Sequence, residues 1–254
     1  TMAGVDTTTG NVFPGFGVSL VDFNGDGHDD ITLGTEDGDS ILFYKNNGNE
    51  TFTKLGSLCN HTGTSRQVIW ADIDNDNDLD FFVASGNSNG ADGQNKLYEN
   101  FNGELIDITS SSGLLIQNDN SSGAIFGDFD SDGDLDLFVS NYVGHYSILY
   151  RNNGNKTFTD ITASVGLQTS ITPAFCAAFF DYNNDNKLDL ISIVDKSVYP
   201  NILYENINNQ SFADVSNETN ITLNDDGMNA GVCDFNNDGN FDVYVTNTKP
   251  PTPN

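Results

Sequence analysis

Oxygen-bearing side chains stand at alternate positions of a nine-residue stretch that occurs five times in this chain. The first copy reads Asp22-Phe23-Asn24-Gly25-Asp26-Gly27-His28-Asp29-Asp30; the others run 72–80, 128–136, 181–189 and 234–242. Positions one, three and five are Asp22, Asn24 and Asp26; Asp72, Asp74 and Asp76; Asp128, Asp130 and Asp132; Asp181, Asn183 and Asp185; and Asp234, Asn236 and Asp238. Position nine is Asp30, Asp80, Asp136, Asp189 and Asp242. When such a loop curls, its alternate side chains converge on one centre. Calcium takes about six to eight oxygens from carboxylates, amides and backbone carbonyls, so the pattern predicts up to five calcium ions, about one per copy. Position seven is free to vary (His28, Asp78, Asp134, Lys187, Asn240), which fits a donor on the backbone carbonyl, since lysine has no side-chain acceptor.

Two rival readings fail. An EF-hand requires glutamate at position twelve and flanking helices; here position twelve is Leu33, Val83, Val139, Ser192 and Val245, and the flanks are strand-like. Acidic turns without metal would crowd seventeen carboxylates with nothing to neutralise them.

The loops are held by what surrounds them. Their first aspartates are 50, 56, 53 and 53 residues apart, a period that signals a repeat architecture. Each copy follows an apolar run rich in small residues: 18–21, 68–71, 124–127, 177–180 and 230–233. A second run follows each loop (31–33, 81–83, 137–139, 190–193, 243–245), and a third comes at 41–44, 96–98, 148–150 and 202–204. Asn-Gly-rich turns lead to a fourth at 51–53, 105–107, 157–159 and 211–213. Four strands per fifty residues, with no helical periodicity, predict an all-β fold, a β-propeller of four-stranded antiparallel blades with the loop between strands one and two. A parallel β-helix has much shorter rungs. The repeats fall at about 15–60, 66–113, 122–167, 174–223 and 229–248 of one domain spanning 1–254, which makes about four and a half blades. Residues 1–11 read as the linker after a fourth strand and can supply at most one strand toward closing a five-bladed ring, so the chain is expected to be part of a larger ring or assembly instead.

A net charge of −28 excludes nucleic acid and anionic membrane surfaces as partners. Five divalent cations would reduce it to −18. No apolar run reaches the roughly 20 residues that span a bilayer, so direct membrane insertion is not expected. Cys59, Cys176 and Cys233 fit small buried free thiols better than a disulfide framework.

The stretch Phe16-Gly17-Val18-Ser19-Leu20-Val21 with its loop, through Gly34, resembles the FG-GAP repeat of integrin α-subunit propellers. Later copies, such as 127–139 with Leu149-Tyr150-Arg151-Asn152-Asn153-Gly154 and Thr157-Phe158-Thr159-Asp160-Ile161, are more similar to the VCBS-type subgroup. Cartilage acidic proteins and many secreted bacterial proteins carry that subgroup. The resemblance covers nearly the whole chain. It implies that the position-nine aspartates ligate calcium directly and that the ring has seven blades. Asn77 and Asn186 replace the usual glycine at position six, which predicts weaker second and fourth sites.

Calcium in such a loop ties one strand's exit to the next strand's entry, a structural role suited to an extracellular, secreted or cell-surface location. Seven glycosylation sequons are present, and Asn49, Asn155 and Asn209 all fall at the hairpin between the third and fourth strands. The expected function is a non-catalytic module for adhesion, interaction or assembly, with a protein or glycan partner on the loop faces. A lectin and a calcium-dependent polysaccharide lyase or hydrolase are the alternatives. Against an enzyme, the few cations are not clustered, and His61 and His145 read as surface loop residues. Trp70 reads as core between blades, because it shares its strand position with Leu20, Phe126, Phe179 and Val232.

Overall fold

The computed structural model describes residues 17–86, 93–114, 120–142, 144–195, 199–222 and 226–248, and these contain no helix. The expected N-terminal linker at 1–11 lies outside the described residues. Four antiparallel sheets of four strands form in strict sequence order, as blades of β-propeller type. The first comprises β1 (Val18–Val21), β2 (Asp30–Leu33), β3 (Leu42–Asn46) and β4 (Phe52–Lys54). The second comprises β5 (Ser65–Ala71), β6 (Asp80–Ser85), β7 (Lys96–Phe101) and β8 (Glu104–Asp107). The third comprises β9 (Ser121–Gly127), β10 (Asp136–Asn141), β11 (Ile148–Asn152) and β12 (Phe158–Asp160). The fourth comprises β13 (Ala174–Phe180), β14 (Asp189–Val194), β15 (Ile202–Ile207) and β16 (Ser211–Asp214). A two-stranded sheet, β17 (Gly227–Cys233) with β18 (Asp242–Asn247), follows.

The expected runs all become strands, with two systematic differences. First strands of the second to fifth sheets begin three residues earlier than their apolar runs. In β5, β13 and β17 the register shifts within the added segment, at Ser65/Gln67, Ala174/Cys176 and Gly227/Asn229. Such a bulge lets a strand keep pairing after its hydrophobic alternation has ended. Second strands begin on the position-nine aspartate, which pairs across the hairpin with the residue before position one: Val21 with Asp30, Ala71 with Asp80, Phe180 with Asp189. That register sets where each loop starts and stops.

The chain divides into two compact units, one of residues 1–121 with 153–158 and the other of 122–152 with 159–254. In the first, Phe23, Phe43, Val68, Phe81 and Tyr98 form the core. Trp70 stacks on Phe23 with ring centroids 5.0 Å apart and packs on Phe81 at 4.6 Å, while its Nε1 donates to Thr32 Oγ1. It therefore serves as packing between two blades, as its strand position predicted. A Cβ on Gly17 would stand 2.5 Å from Gln67 Cα, so the two first strands approach too closely there for any side chain. In the second unit, Phe129, Phe138, Leu149, Leu190, Tyr204 and Phe212 lead one cluster and Ile191, Ile193 and Leu203 another.

Two expectations need correction. His61 is 5% exposed, with its Nε2 3.4 Å from Ser85 Oγ, because the linker after β4 folds inward over the sheet. Burial lowers its pKa below the usual histidine value. The cysteines are free, but only Cys59 is buried; Cys176 is half-buried and Cys233 exposed.

Candidate metal centre

One hydrogen-bond scheme recurs in all five loops. The position-one carboxylate accepts the N–H groups of positions five and six. In the third loop these are Asp132 N–H to Asp128 Oδ1 at 3.1 Å and Gly133 N–H to Asp128 Oδ2 at 3.0 Å. Asp22, Asp72, Asp181 and Asp234 do the same. The position-five carboxylate accepts the N–H of position seven, as Asp132 does from Asp134 at 2.9 Å, and His28, Asp78, Lys187 and Asn240 donate likewise. These bonds curl the nonapeptide and bring its alternate side chains to one side. Position six is left-handed in every copy, at Gly27, Asn77, Gly133, Asn186 and Gly239. Asparagine visits this region more readily than most residues, so Asn77 (φ 73°) and Asn186 (φ 64°) keep the turn that glycine makes elsewhere. Position four is left-handed too, at Gly25, Asn75, Ser131, Asn184 and Asn237.

The position-nine carboxylate joins the loop to the sheet. Asp80 Oδ2 accepts from Ile73 N–H at 3.0 Å, and its Oδ1 accepts from Asn100 N–H on β7 at 2.8 Å. The Asn100 side chain donates back to Leu79 O at 3.1 Å. Asn46, Asn152 and Asn206 repeat both contacts, with Asp30, Asp136 and Asp189. These four asparagines were not among the expected site residues. Their signal lies in the sequence as a recurring Tyr-x-Asn: Tyr44-Lys45-Asn46, Tyr98-Glu99-Asn100, Tyr150-Arg151-Asn152 and Tyr204-Glu205-Asn206. Position two anchors three of the loops in the core through Phe23, Ile73 and Phe129.

Asp30, Asp80, Asp136 and Asp189 are all buried. Burial first, against the pull of the backbone hydrogen bonds, pushes Asp80 and Asp136 up to about 7 and Asp189 up to about 6; Asp30 is also raised. Asp78 rises to about 6 through burial and then the neighbouring Asp76. Carboxylate oxygens of Asp72, Asp74 and Asp80 lie within 4.8 Å of one another, and so do those of Asp128, Asp130 and Asp136. Asp74 Oδ1, Asp78 Oδ1 and Asp130 Oδ1 are buried and accept no hydrogen bond. A buried acceptor without a donor is costly unless a cation supplies the missing charge, so the second and third loops fit a hard divalent ion.

Lysines meet three of the loops. Lys45 Nζ lies 2.7 Å from Asp26 Oδ2, and Lys187 Nζ contacts Asp185 Oδ2. Each lysine, acting chiefly through that hydrogen bond, lowers the pKa of its carboxylate. Lys156 Nζ reaches Asp74 Oδ2 at 2.6 Å and also contacts Glu99. In the fifth loop Asp238 accepts from Asn240 N–H and Nδ2, and Asn236 Oδ1 from Asp238 N–H.

The hairpin asparagines differ among themselves. Asn49 and Asn155 are exposed, and each Oδ1 accepts the hydroxyl of the threonine two residues on. Asn209 is half-buried; its Nδ2 donates to Ser131 Oγ in the third loop at 3.1 Å.

The family described as FG-GAP-like repeat matches the chain four times, at residues 22–83, 72–139, 128–192 and 181–245. Human cartilage acidic protein 1 is 31% identical over 152 residues, and its mouse counterpart is 32% identical over 152 residues. These alignments take 58% of this chain but 23% and 24% of those proteins, so the chain matches about a quarter of their length. Among solved structures, an Agrocybe aegerita lectin that recognises non-reducing terminal N-acetylglucosamine superposes with a TM-score of 0.46 at 18% identity, covering 90% of this chain and 56% of the lectin. The V. cholerae biofilm matrix protein Bap1 superposes with a TM-score of 0.48 at 18% identity, covering 85% of this chain and 30% of that one.

Proposed function

We propose, from the premise that this chain belongs to the FG-GAP-like repeat family, that its loops hold calcium and that the blades so stiffened form a non-catalytic extracellular interaction module. The observation that carries this reading is the pair of converging carboxylate clusters with buried oxygens that no donor satisfies. Asp72, Asp74, Asp76 and Asp80, and Asp128, Asp130, Asp132 and Asp136, are the principal ligands; the first, fourth and fifth loops supply three aspartates and one asparagine each. Calcium would supply the positive charge that lets Asp30, Asp80, Asp136 and Asp189 stay ionised while buried. The chain's own residues supply the curl, through positions one and five, and the tie to the sheet, through the third-strand asparagine. Weak extracellular calcium modules work at the free calcium found outside cells, which suits a secreted or surface location. Native mass spectrometry of the chelated, then calcium-titrated protein tests the reading: several ions per chain are expected, and no specific uptake at millimolar calcium refutes it.

The absence of catalysis is argued from side-chain placement. Among the described residues, the Ser85–His61 contact is 0% and 5% exposed, so substrate has no access to it. Partners are expected to be proteins or glycans on the loop faces. Hairpin glycans should follow accessibility. In a glycosylating host, peptide mass spectrometry is expected to find sugar on Asn49 and Asn155 and little on Asn209, whose amide is engaged by Ser131. Heavy occupancy of Asn209 would contradict this.

One observation favours a second reading, carbohydrate binding. A cavity of about 240 Å³ in the second unit is lined by Gln168, Ile171, Tyr199, Asp214, Asn217 and neighbouring hydroxyls. Tyr199 lines this cavity and is 40% exposed, so it offers an aromatic ring of the kind on which sugars stack. The equivalent carboxylate of the second blade, Asp107, is covered by Lys96, whereas the matching strand position beside Asp214 is Ile202. Glycan-array binding that drops at least about tenfold in Tyr199→Ala supports a lectin; binding unchanged by that substitution removes this cavity from consideration.

A further inference from the structure

We propose that Lys187 and Lys45 are built-in competitors for the cation at the fourth and first loops, so that the five loops load in order, with the third among the first and these two last. This inference rests on the calcium reading above and adds a ranking that the repeat pattern alone does not contain.

Position five is where the loops diverge. In the fourth loop, Asp185 Oδ1 accepts Lys187 N–H at 3.0 Å while Oδ2 receives the ammonium of the same lysine. One residue of the loop thus occupies both oxygens of a ligand carboxylate. Position three is Asn183, so the fourth loop has three aspartates against one lysine. In the first loop the ammonium comes from β3, where Lys45 sits on Asp26 Oδ2. There Asn24 also forms a hydrogen bond with Asp30 Oδ2. A cation entering either loop must displace an ammonium from position five and remain near it afterwards.

The third loop is the opposite case. Positions one, three, five, seven and nine are all aspartate, three of them converge, and Asp130 Oδ1 awaits a partner. Arg151 acts on Asp130 through its field alone, the smallest of the influences on that carboxyl. The second loop is intermediate in charge but not in geometry. Lys156 takes Asp74 Oδ2, yet Asp74 Oδ1 stays unsatisfied on a side chain that is 8% exposed. Asp74 can therefore hold lysine with one oxygen and a cation with the other. This order places the second loop, with Asn77 at position six, among the tight sites.

At about 6 Å from a divalent ion, screened as in bulk water, a unit positive charge weakens its binding about tenfold. The test is calcium titration of the full metal-free chain by calorimetry and native mass spectrometry, in Lys187→Gln, Lys45→Gln and, as a charge control, Lys54→Gln on exposed β4. Wild type is expected to take up two ions more tightly than the rest. Lys187→Gln and Lys45→Gln should each move one weak event about tenfold tighter, and Lys54→Gln should move none. Melting each variant in EGTA verifies that it is folded. Uniform affinity across all ions, or equal shifts in all three variants, overturns the ranking while leaving calcium binding intact. No calcium uptake by wild type overturns both.

Discussion

Excess EGTA is expected to lower the melting temperature at neutral pH by about ten degrees or more relative to the protein in millimolar calcium. The magnitude follows from mass action. For the second and third loops, the tightest in the ranking above, a Kd of about 10 μM puts millimolar calcium at roughly a hundred times Kd, which stabilises the folded state by about 2.7 kcal/mol per site. Two converging loops alone then contribute about 5 kcal/mol, and a chain of this size shifts by about 2–4 °C per kcal/mol. The pH dependence carries a sign that a merely acidic surface would not give. Asp80 and Asp136, pushed up to about 7 by burial, and Asp189, pushed up to about 6, keep protons in the folded metal-free state. The unfolded chain has already released those protons above about pH 4. A raised carboxyl pKa means that the folded state binds more protons, so stability without calcium falls as pH rises through that window. With calcium the dependence reverses, because protons and the cation compete for the same oxygens. Thermal melts at pH 5 and 7.5, each with calcium and with EGTA, test both statements. A melting temperature in EGTA that rises toward pH 7.5, or that equals the calcium value there, would contradict the argument.

Asn206→Ala is expected to cost about 3 kcal/mol. Asn206 is buried, its Nδ2 donates to Leu188 O at 3.1 Å and to Phe129 O at 2.8 Å, and its Oδ1 accepts from Asn209 N–H at 2.9 Å. Alanine keeps the backbone N–H that Asp189 needs but strips the partners from two carbonyls and one amide. Each buried polar group left unpaired costs about 1–3 kcal/mol, reduced where water can enter. Asn46, the first blade's counterpart, is only half-buried and donates to a single loop carbonyl, Asp29 O. Asn46→Ala should therefore cost about 1 kcal/mol. Urea denaturation of the two variants compares them directly, and equal losses would mean that the contact to Phe129 contributes nothing.

Much of the blade is legible in the sequence alone. Apolar runs of three or four residues at fixed offsets from an acidic nonapeptide became β1 to β18 in the expected order, because strand alternation and hairpin turns are short-range signals. The runs missed the bulged ends of β5, β13 and β17, where alternation breaks while pairing continues. They also placed the position-nine aspartates in the loops, whereas these residues open the second strands, and Asp30, Asp80, Asp136 and Asp189 are buried there. The Tyr-x-Asn signature was visible as a pattern, but its purpose was not, since nothing local marks Asn100 as the partner of Asp80.

Spacing within nine residues is enough to dictate how each loop curls, because every bond of the curl joins groups two to five positions apart. Which loops keep an oxygen free is another matter. Lys156 reaches Asp74 across 82 positions of chain, Asn206 reaches Phe129 across 77, and His61 is buried against Ser85. Such pairs form only when blades have packed and a side chain meets whatever its neighbouring sheet presents. The acidic repeat specifies a set of like cages; the packing of sheets makes those cages unequal.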